Sequence, residues 1–287
     1  MNYLDLPDAY VRDVVARALH EDVGTGDLTT LAVIPPDARS EARFVFREAG
    51  VVCGLPLLSS VFTLVDPALA LRPQAPEGAR VSAGQCVATI AGPARGLLSG
   101  ERVALNLFQR LSGIATLTAR YVEAVRGTRA RILDTRKTTP GLRALEKYAV
   151  RVGGGVNHRF GLYDGVMLKD NHLAILAAQG VDLAEAVRRA RAAVGPMVRI
   201  EVEVESVEQA AVAAEAGADL ILLDNMSPEQ LRAAVAAVAG RARTEASGGI
   251  TLATIRAVAE SGVDFISVGA LTHSAPALDI GLDIEGA

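Results

Sequence analysis

The stretch VRIEVEVESVEQAAVAAEAGADLILLD, residues 198–224, holds a complete strand–helix–strand repeat. VRIEVEV (198–204) and DLILLD (219–224) are β-rich runs, and the Ala-rich residues 206–216 between them carry an amphipathic helical pattern. Working outward, further strand-like runs fall at 242–247 and 263–269, with helical patterns at 228–239 and 251–261. Strand starts advance by 21 to 23 residues, the rhythm of βα units building a parallel sheet. Toward the N-terminus, residues 131–135 and 165–170 add two more runs. Six strands, or seven, fall short of the eight of a full barrel, so an incomplete α/β barrel is expected.

Such a sheet presents its chemistry where the strands end. The ends here are Asp134 to Lys137, Lys169 to Asn171, Glu203 and Glu205, Asp224-Asn225, Ser247-Gly248-Gly249 and Gly269-Ala270. The first two offer cations, within a strongly basic stretch from Arg131 to His172 of a chain whose net charge is −4. A basic patch inside an acidic protein points to a multiply charged anion. Arg143, Lys147 and Arg151 recur at helical spacing and are expected on a solvated helix face; Arg136, Lys137, Arg159 and Lys169 are the site candidates. In IEVEV, alternation turns Glu201, Glu203 and Glu205 to one side, into the barrel. Inward carboxylates require cations or a metal ion to meet them. The small-residue turns SGG (247–249) and VGA (268–270) end the last two strands, where backbone N–H groups at helix N-termini would bind phosphate. The combined expectation is a ligand with a phosphate at one end and further anionic groups at the other, with a carboxylate-bound metal between them.

Composition narrows the classes. At 287 residues the chain accommodates one large α/β domain or a barrel plus a smaller domain, and half of its residues are hydrophobic. Trp is absent and aromatics make up 4%, so no base-stacking platform is offered to single-stranded nucleic acid. Cys53 and Cys86 stand far apart and are expected as reduced thiols. No apolar run reaches the ~20 residues of a membrane span, and MNYLDLPDAY lacks the pattern of a signal peptide; a cytoplasmic protein is expected. Tyr10–Leu19 shows a helical stripe that ends in the turn-rich EDVGTGD, after which Thr29-Thr30 lead into an extended stretch. Capping and turn formation account for that loop without chemistry. Residues 41–95 look like a small β-rich module. Ser99 begins a long helix to Gly127, with Arg102, Asn106 and Arg110 on its polar face.

The segments EDVGTGDLTT (21–30), ERVALNLFQRLSGIAT (101–116), DTRKTTPGLRALEKYAVRVGGGVNHRFGLYDGVMLKDNH (134–172), EVEVES (201–206), LILLDN (220–225), SGGI (247–250) and VGALTHSAPALDIGL (268–282) together resemble the quinolinate phosphoribosyltransferases, the carboxylating nicotinate-nucleotide pyrophosphorylases. The resemblance spans nearly the whole chain in the family's order. It implies an N-terminal α/β sandwich domain (1–114), on which the tail 274–287 would pack, and an incomplete α/β barrel (115–273). It implies transfer of ribose 5-phosphate from phosphoribosyl pyrophosphate to quinolinate, with release of pyrophosphate and CO2, a step of NAD biosynthesis. By the resemblance, Arg136, His158, Arg159 and Lys169 would bind the quinolinate carboxylates and Lys137 would reach the donor. Glu203 and Asp224 would bind Mg²⁺ and the ribose hydroxyls, and Lys137, Glu203 and Asp224 form the catalytic set. Ser247, Gly248, Gly249, Gly269 and Ala270 would cradle the 5-phosphate. Arg102 would enter from a neighbouring subunit, implying a homodimer or larger homo-oligomer.

Two alternatives accompany this expectation. Lys169 at a barrel strand end could form a Schiff base, as in a class I aldolase, although that leaves Arg136, Lys137, Arg159 and the carboxylates without a task. A paralogue acting on another anion is the nearer rival.

Overall fold

The computed structural model describes residues 6–284, so the first five residues of the expected sandwich domain and the last three of its tail lie outside the described residues. In chain order the elements are α1 (Asp8–Val23), α2 (Leu28–Val33), β1 (Arg39–Phe46), β2 (Gly50–Val51), α3 (Leu55–Val65), β3 (Ala70–Pro73), β4 (Arg80–Val81), β5 (Cys86–Pro93) and α4 (Ala94–Ala124). They continue with β6 (Arg131–Leu133), α5 (Arg143–Val152), β7 (Val166–Leu168), α6 (Asp170–Ala177), α7 (Leu183–Ala193), β8 (Ile200–Val204), α8 (Val207–Glu215) and β9 (Leu220–Asp224). The last are α9 (Pro228–Val238), β10 (Arg243–Ser247), α10 (Ile255–Ala259), β11 (Phe265–Ser267), α11 (Ala270–His273) and β12 (Ile280–Ile284). Contacts divide the chain into two compact units. One holds residues 1–119, 138–154 and 272–287; the other holds 120–137 and 155–271.

The first unit is built on an antiparallel sheet in the order β12-β1-β5-β3. Alternation along β1 buries Ala42, Phe44 and Phe46, and Phe44 packs edge-on against Phe62 of α3 and Phe108 of α4. Edge-to-face rings stabilise by about 0.5–1.5 kcal/mol beyond their buried area. The tail runs close against α4: a Cβ on Gly113 would strike the Pro276 carbonyl, and Leu278 N–H donates to Gln109 O (3.0 Å).

Several local expectations are corrected here. Thr29 and Thr30 lie inside α2, not before an extended run, because the Asp27 carboxylate caps the helix by accepting from Thr30 N–H (3.0 Å). The long helix starts at Ala94, five residues before Ser99, whose hydroxyl donates to Asp27 (3.3 Å). The 41–95 module contains a helix, α3, with one buried face, as well as strands. On α5, Lys147 is buried beside Glu146, since the unit covers this helix from Leu145 to Val150 and leaves no solvated face there.

The second unit is the expected parallel sheet. Its six strands run β6-β11-β10-β9-β8-β7, every pairing parallel. β6 and β7 stand at the two ends of that order, so the barrel is incomplete. At the β6 end, segment 155–157 takes the vacant edge: Val156 N–H donates to Ile132 O (2.8 Å) and Asp134 N–H to Val156 O (3.2 Å). Ile200, Val202 and Val204 are buried on one side of β8. On the other side Glu201 is buried, Glu203 half-buried, and Glu205, one residue past the strand, is exposed rather than inward. No helix among the described residues is long and apolar enough to cross a membrane.

Candidate active site

A cavity of about 430 Å³ opens at the C-terminal ends of the parallel strands. It is lined by Arg136 and Lys137 after β6, His158 and Arg159 from the glycine-rich turn, Lys169 after β7, Glu203, Asp224, and Ser247 of β10. Eight sequence-derived candidates therefore meet in one place. A second cavity, about 660 Å³, opens at the opposite, N-terminal ends of the strands. His158 and Arg159 line this cavity as well, and in it Arg129 and Arg243 are both ion-paired with Asp264.

Local structure explains how each group is placed. Asp134 is fully buried and accepts from the backbone N–H of His158 (2.8 Å) and from Asn157 Nδ2 (2.5 Å). The aspartate of DTRK is thus an anchor for the VNHR turn, not a ligand-facing group. Arg159 Nη1 donates to Gly165 O (2.9 Å), just before β7, and Nη2 contacts Met167 Sδ (3.5 Å), which fixes the guanidinium along that strand. Lys169 precedes α6, and its N–H donates to His172 Nδ1 (2.9 Å), so the histidine of KDNH serves as a helix-capping group.

The electrostatics are those of an anion site beside a cation site. Burial, and then the charge of Arg136, lower the proton affinity of Arg159, while the charges of Glu201 and Asp164 oppose the shift. Lys169 Nζ lies 3.3 Å from Glu203 Oε2. Burial raises the pKa of Asp224, and Glu205 adds to the rise, while Lys169 and Lys137 oppose it. Glu203 and Asp224 are hard oxygen donors on adjacent strands of one cavity, a donor set that fits Mg²⁺.

The strand-end turns are less uniform than expected. Asn225, in the left-handed conformation, donates from its backbone N–H to Ser247 O (3.0 Å) and from Nδ2 to Asp224 Oδ2 (2.6 Å). A Cβ on Gly248, whose φ is +97°, would collide with that Asn225 amide, so only glycine fits. α10 begins at Ile255, so Ser247–Gly249 offer strand-end backbone and not the first turn of a helix; Ala270 does open α11. Gly248, Gly249, Gly269 and Ala270 lie outside the lining of the cavity. Arg102 is exposed on α4 of the first unit.

Sequence reasoning missed Glu245, which is fully buried and lines the cavity floor with Ser267. The alternation that marks Glu203 as inward also places Glu245 on the face of Ser247, and reading it along RTEAS would have found it.

Residues 27–112 match the family model of the quinolinate phosphoribosyl transferase N-terminal domain, and residues 114–283 that of its C-terminal domain. The nicotinate-nucleotide pyrophosphorylase (carboxylating) of Mycobacterium leprae is 48% identical over 281 residues, covering 95% of this chain and 96% of that protein. A chloroplastic protein of the same name from Arabidopsis thaliana is 42% identical over 294 residues, covering 97% and 84%. The crystal structure of NadC from Streptococcus pyogenes superposes with a TM-score of 0.92 at 46% identity, covering 98% of this chain and 99% of that one. With both domain models matched in order and the cationic and acidic strand ends gathered in one cavity, the chain belongs to the quinolinate phosphoribosyl transferase family.

Proposed function

We propose that this protein transfers ribose 5-phosphate from phosphoribosyl pyrophosphate to the ring nitrogen of quinolinate, releasing pyrophosphate and CO2 and leaving nicotinate mononucleotide for NAD biosynthesis. The observation that carries this is the juxtaposition of Arg136 and Arg159 with Lys137, Lys169, Glu203 and Asp224 in one strand-end cavity. Adjacent guanidiniums match a pair of neighbouring ring carboxylates, since each fork binds one carboxylate bidentately. Arg136, His158, Arg159 and Lys169 form the wall that orients quinolinate, and Lys137 reaches the donor. Glu203 and Asp224 hold the ribose hydroxyls and stabilise positive charge growing at the anomeric carbon. Backbone N–H groups at Ser247–Gly249 and Gly269–Ala270 receive the 5-phosphate. Glu203 and Asp224 would hold Mg²⁺, which would supply neutralising charge for the diphosphate. No protein nucleophile is required: the residues act by positioning and by preorganised charge. The pairing of Lys169 with Glu203 gives the lysine a role that a Schiff base does not need. Arg102 completes the site of a neighbouring subunit in a homo-oligomer, for which its exposure on α4 leaves it available.

The test mixes purified protein with quinolinate, phosphoribosyl pyrophosphate and Mg²⁺ and follows nicotinate mononucleotide by mass spectrometry. Product from quinolinate and none from nicotinate is expected; product from nicotinate alone would sink the two-carboxylate pocket.

A further inference from the structure

Beneath the anion wall lies a group of buried acids that the transfer reaction does not use. Glu245 of β10, Glu201 of β8 and His158 bring their ligand atoms within 4.8 Å of one another. His158 Nδ1 accepts the backbone N–H of Arg159 (2.7 Å), which places the ring proton on Nε2, and Nε2 donates to Glu201 (2.9 Å). Glu201 therefore fixes both the tautomer and the orientation of His158. The remaining Glu201 oxygen and both Glu245 oxygens are buried without a hydrogen-bond partner among the described residues; His158 Nε2 is 3.7 Å from Glu245. Asp134, one residue past β6, and Ser267 of β11 also act on the Glu245 carboxyl. Carboxylates crowded in this way cannot all remain charged. Burial first, and then the charge of Glu201, push the Glu245 carboxyl up to about 8, with Asp134 adding to the rise and His158 and Ser267 opposing it.

We propose that Glu245 is a positioning residue that works as a neutral carboxylic acid: its proton is directed to the orphan oxygen of Glu201, keeping Glu201 seated as the acceptor for His158 and so steadying the His158–Arg159 wall. The role rests on the assignment of that wall to the dianionic substrate. Loss of the proton places a negative charge under the anion pocket and frees Glu201 to turn away.

The test has two arms. Infrared difference spectra of wild-type protein should show the carbonyl band of a protonated carboxyl at neutral pH, fading as pH rises through about 8 and missing from Glu245→Gln. Wild-type KM for quinolinate should rise about tenfold between roughly pH 7 and 9 while KM for phosphoribosyl pyrophosphate stays flat. Glu245→Ala should raise KM for quinolinate at every pH, and Glu245→Gln should rescue most of that loss and flatten the pH profile. An unchanged band in Glu245→Gln, an equally steep KM profile in that variant, or a stoichiometric transition metal retained by dialysed wild-type protein would each overturn the proposal. If quinolinate yields no product at all, the functional assignment fails, and the infrared arm still decides the state of Glu245.

Discussion

Lys169 Nζ stands 3.3 Å from Glu203 Oε2, with the lysine side chain 47% exposed and the carboxylate 14%. The pair marks the line where the proposed anion-binding wall meets the acidic side of the cavity. A pair this open contributes only about 0–1 kcal/mol to stability, so its placement is better explained by the ligand. Lys169→Ala should lower kcat/KM for quinolinate by roughly ten- to a hundredfold, the range of a lost charged hydrogen bond, with Tm shifted little. Steady-state kinetics and a thermal melt check both halves; a large drop in Tm with unaltered KM would make Lys169 structural.

Asp224 is expected to matter to the donor instead. Asp224→Ala should abolish turnover and weaken binding of phosphoribosyl pyrophosphate with Mg²⁺, leaving quinolinate binding in place, as isothermal titration of each ligand would resolve.

The strand ends were legible because parallel βα units repeat at a nearly constant interval and because IEVEV and LILLD carry acids where a buried strand should have none. What was not legible depended on partners distant in the chain. Lys147 looks solvated along α5 alone, and its burial follows from the inclusion of residues 138–154 in the first unit, which no local pattern announces. Asp134 sits among cations in DTRK and looks like one more strand-end group beside them; only the turn that carries Asn157 and His158 reveals it as an anchor. Glu245 differs, since its alternation with Ser247 was visible.

The Arg102 assignment permits a mixing experiment. Arg102→Ala and Asp224→Ala should each be inactive alone. If Arg102 serves the neighbour's site, subunits exchanged between the two variants form hybrids with one intact site, restoring roughly a quarter of wild-type activity in a dimer at statistical mixing. No recovery after verified exchange would return Arg102 to its own subunit or to the surface.

In the first unit, Glu146 is fully buried and takes a charged hydrogen bond from Arg110 Nη2 (2.8 Å), while also accepting from Thr139 N–H (3.1 Å) and the Thr139 hydroxyl (2.8 Å). Arg110 also donates to Ala275 O (3.0 Å) and to Thr272 O. Removing one partner strands a buried charge, so Glu146→Ala or Arg110→Ala should destabilise by about 3–5 kcal/mol. Replacing both with apolar residues should cost less than either single change. Denaturant melts of the three variants test this, and additive losses would refute it.

Glu245 carries the sharpest expectation for stability. Its carboxyl titrates at about 8 in the folded protein against 4.5 ordinarily, so the native state retains a proton that the unfolded chain has released. Stability from this group is complete below about pH 4.5 and is lost progressively as pH rises through about 8, because the unfolded state binds fewer protons over that window. At neutral pH the wild type therefore carries a penalty on the order of a few kcal/mol that an uncharged isostere lacks. Glu245→Gln should melt higher than wild type at neutral pH, the gap opening as pH rises from about 5 to 8 and levelling off above that. Melting curves across that range, at fixed ionic strength, decide the matter: a variant less stable than wild type at pH 8, or a gap indifferent to pH, would mean that Glu245 keeps its charge inside the barrel.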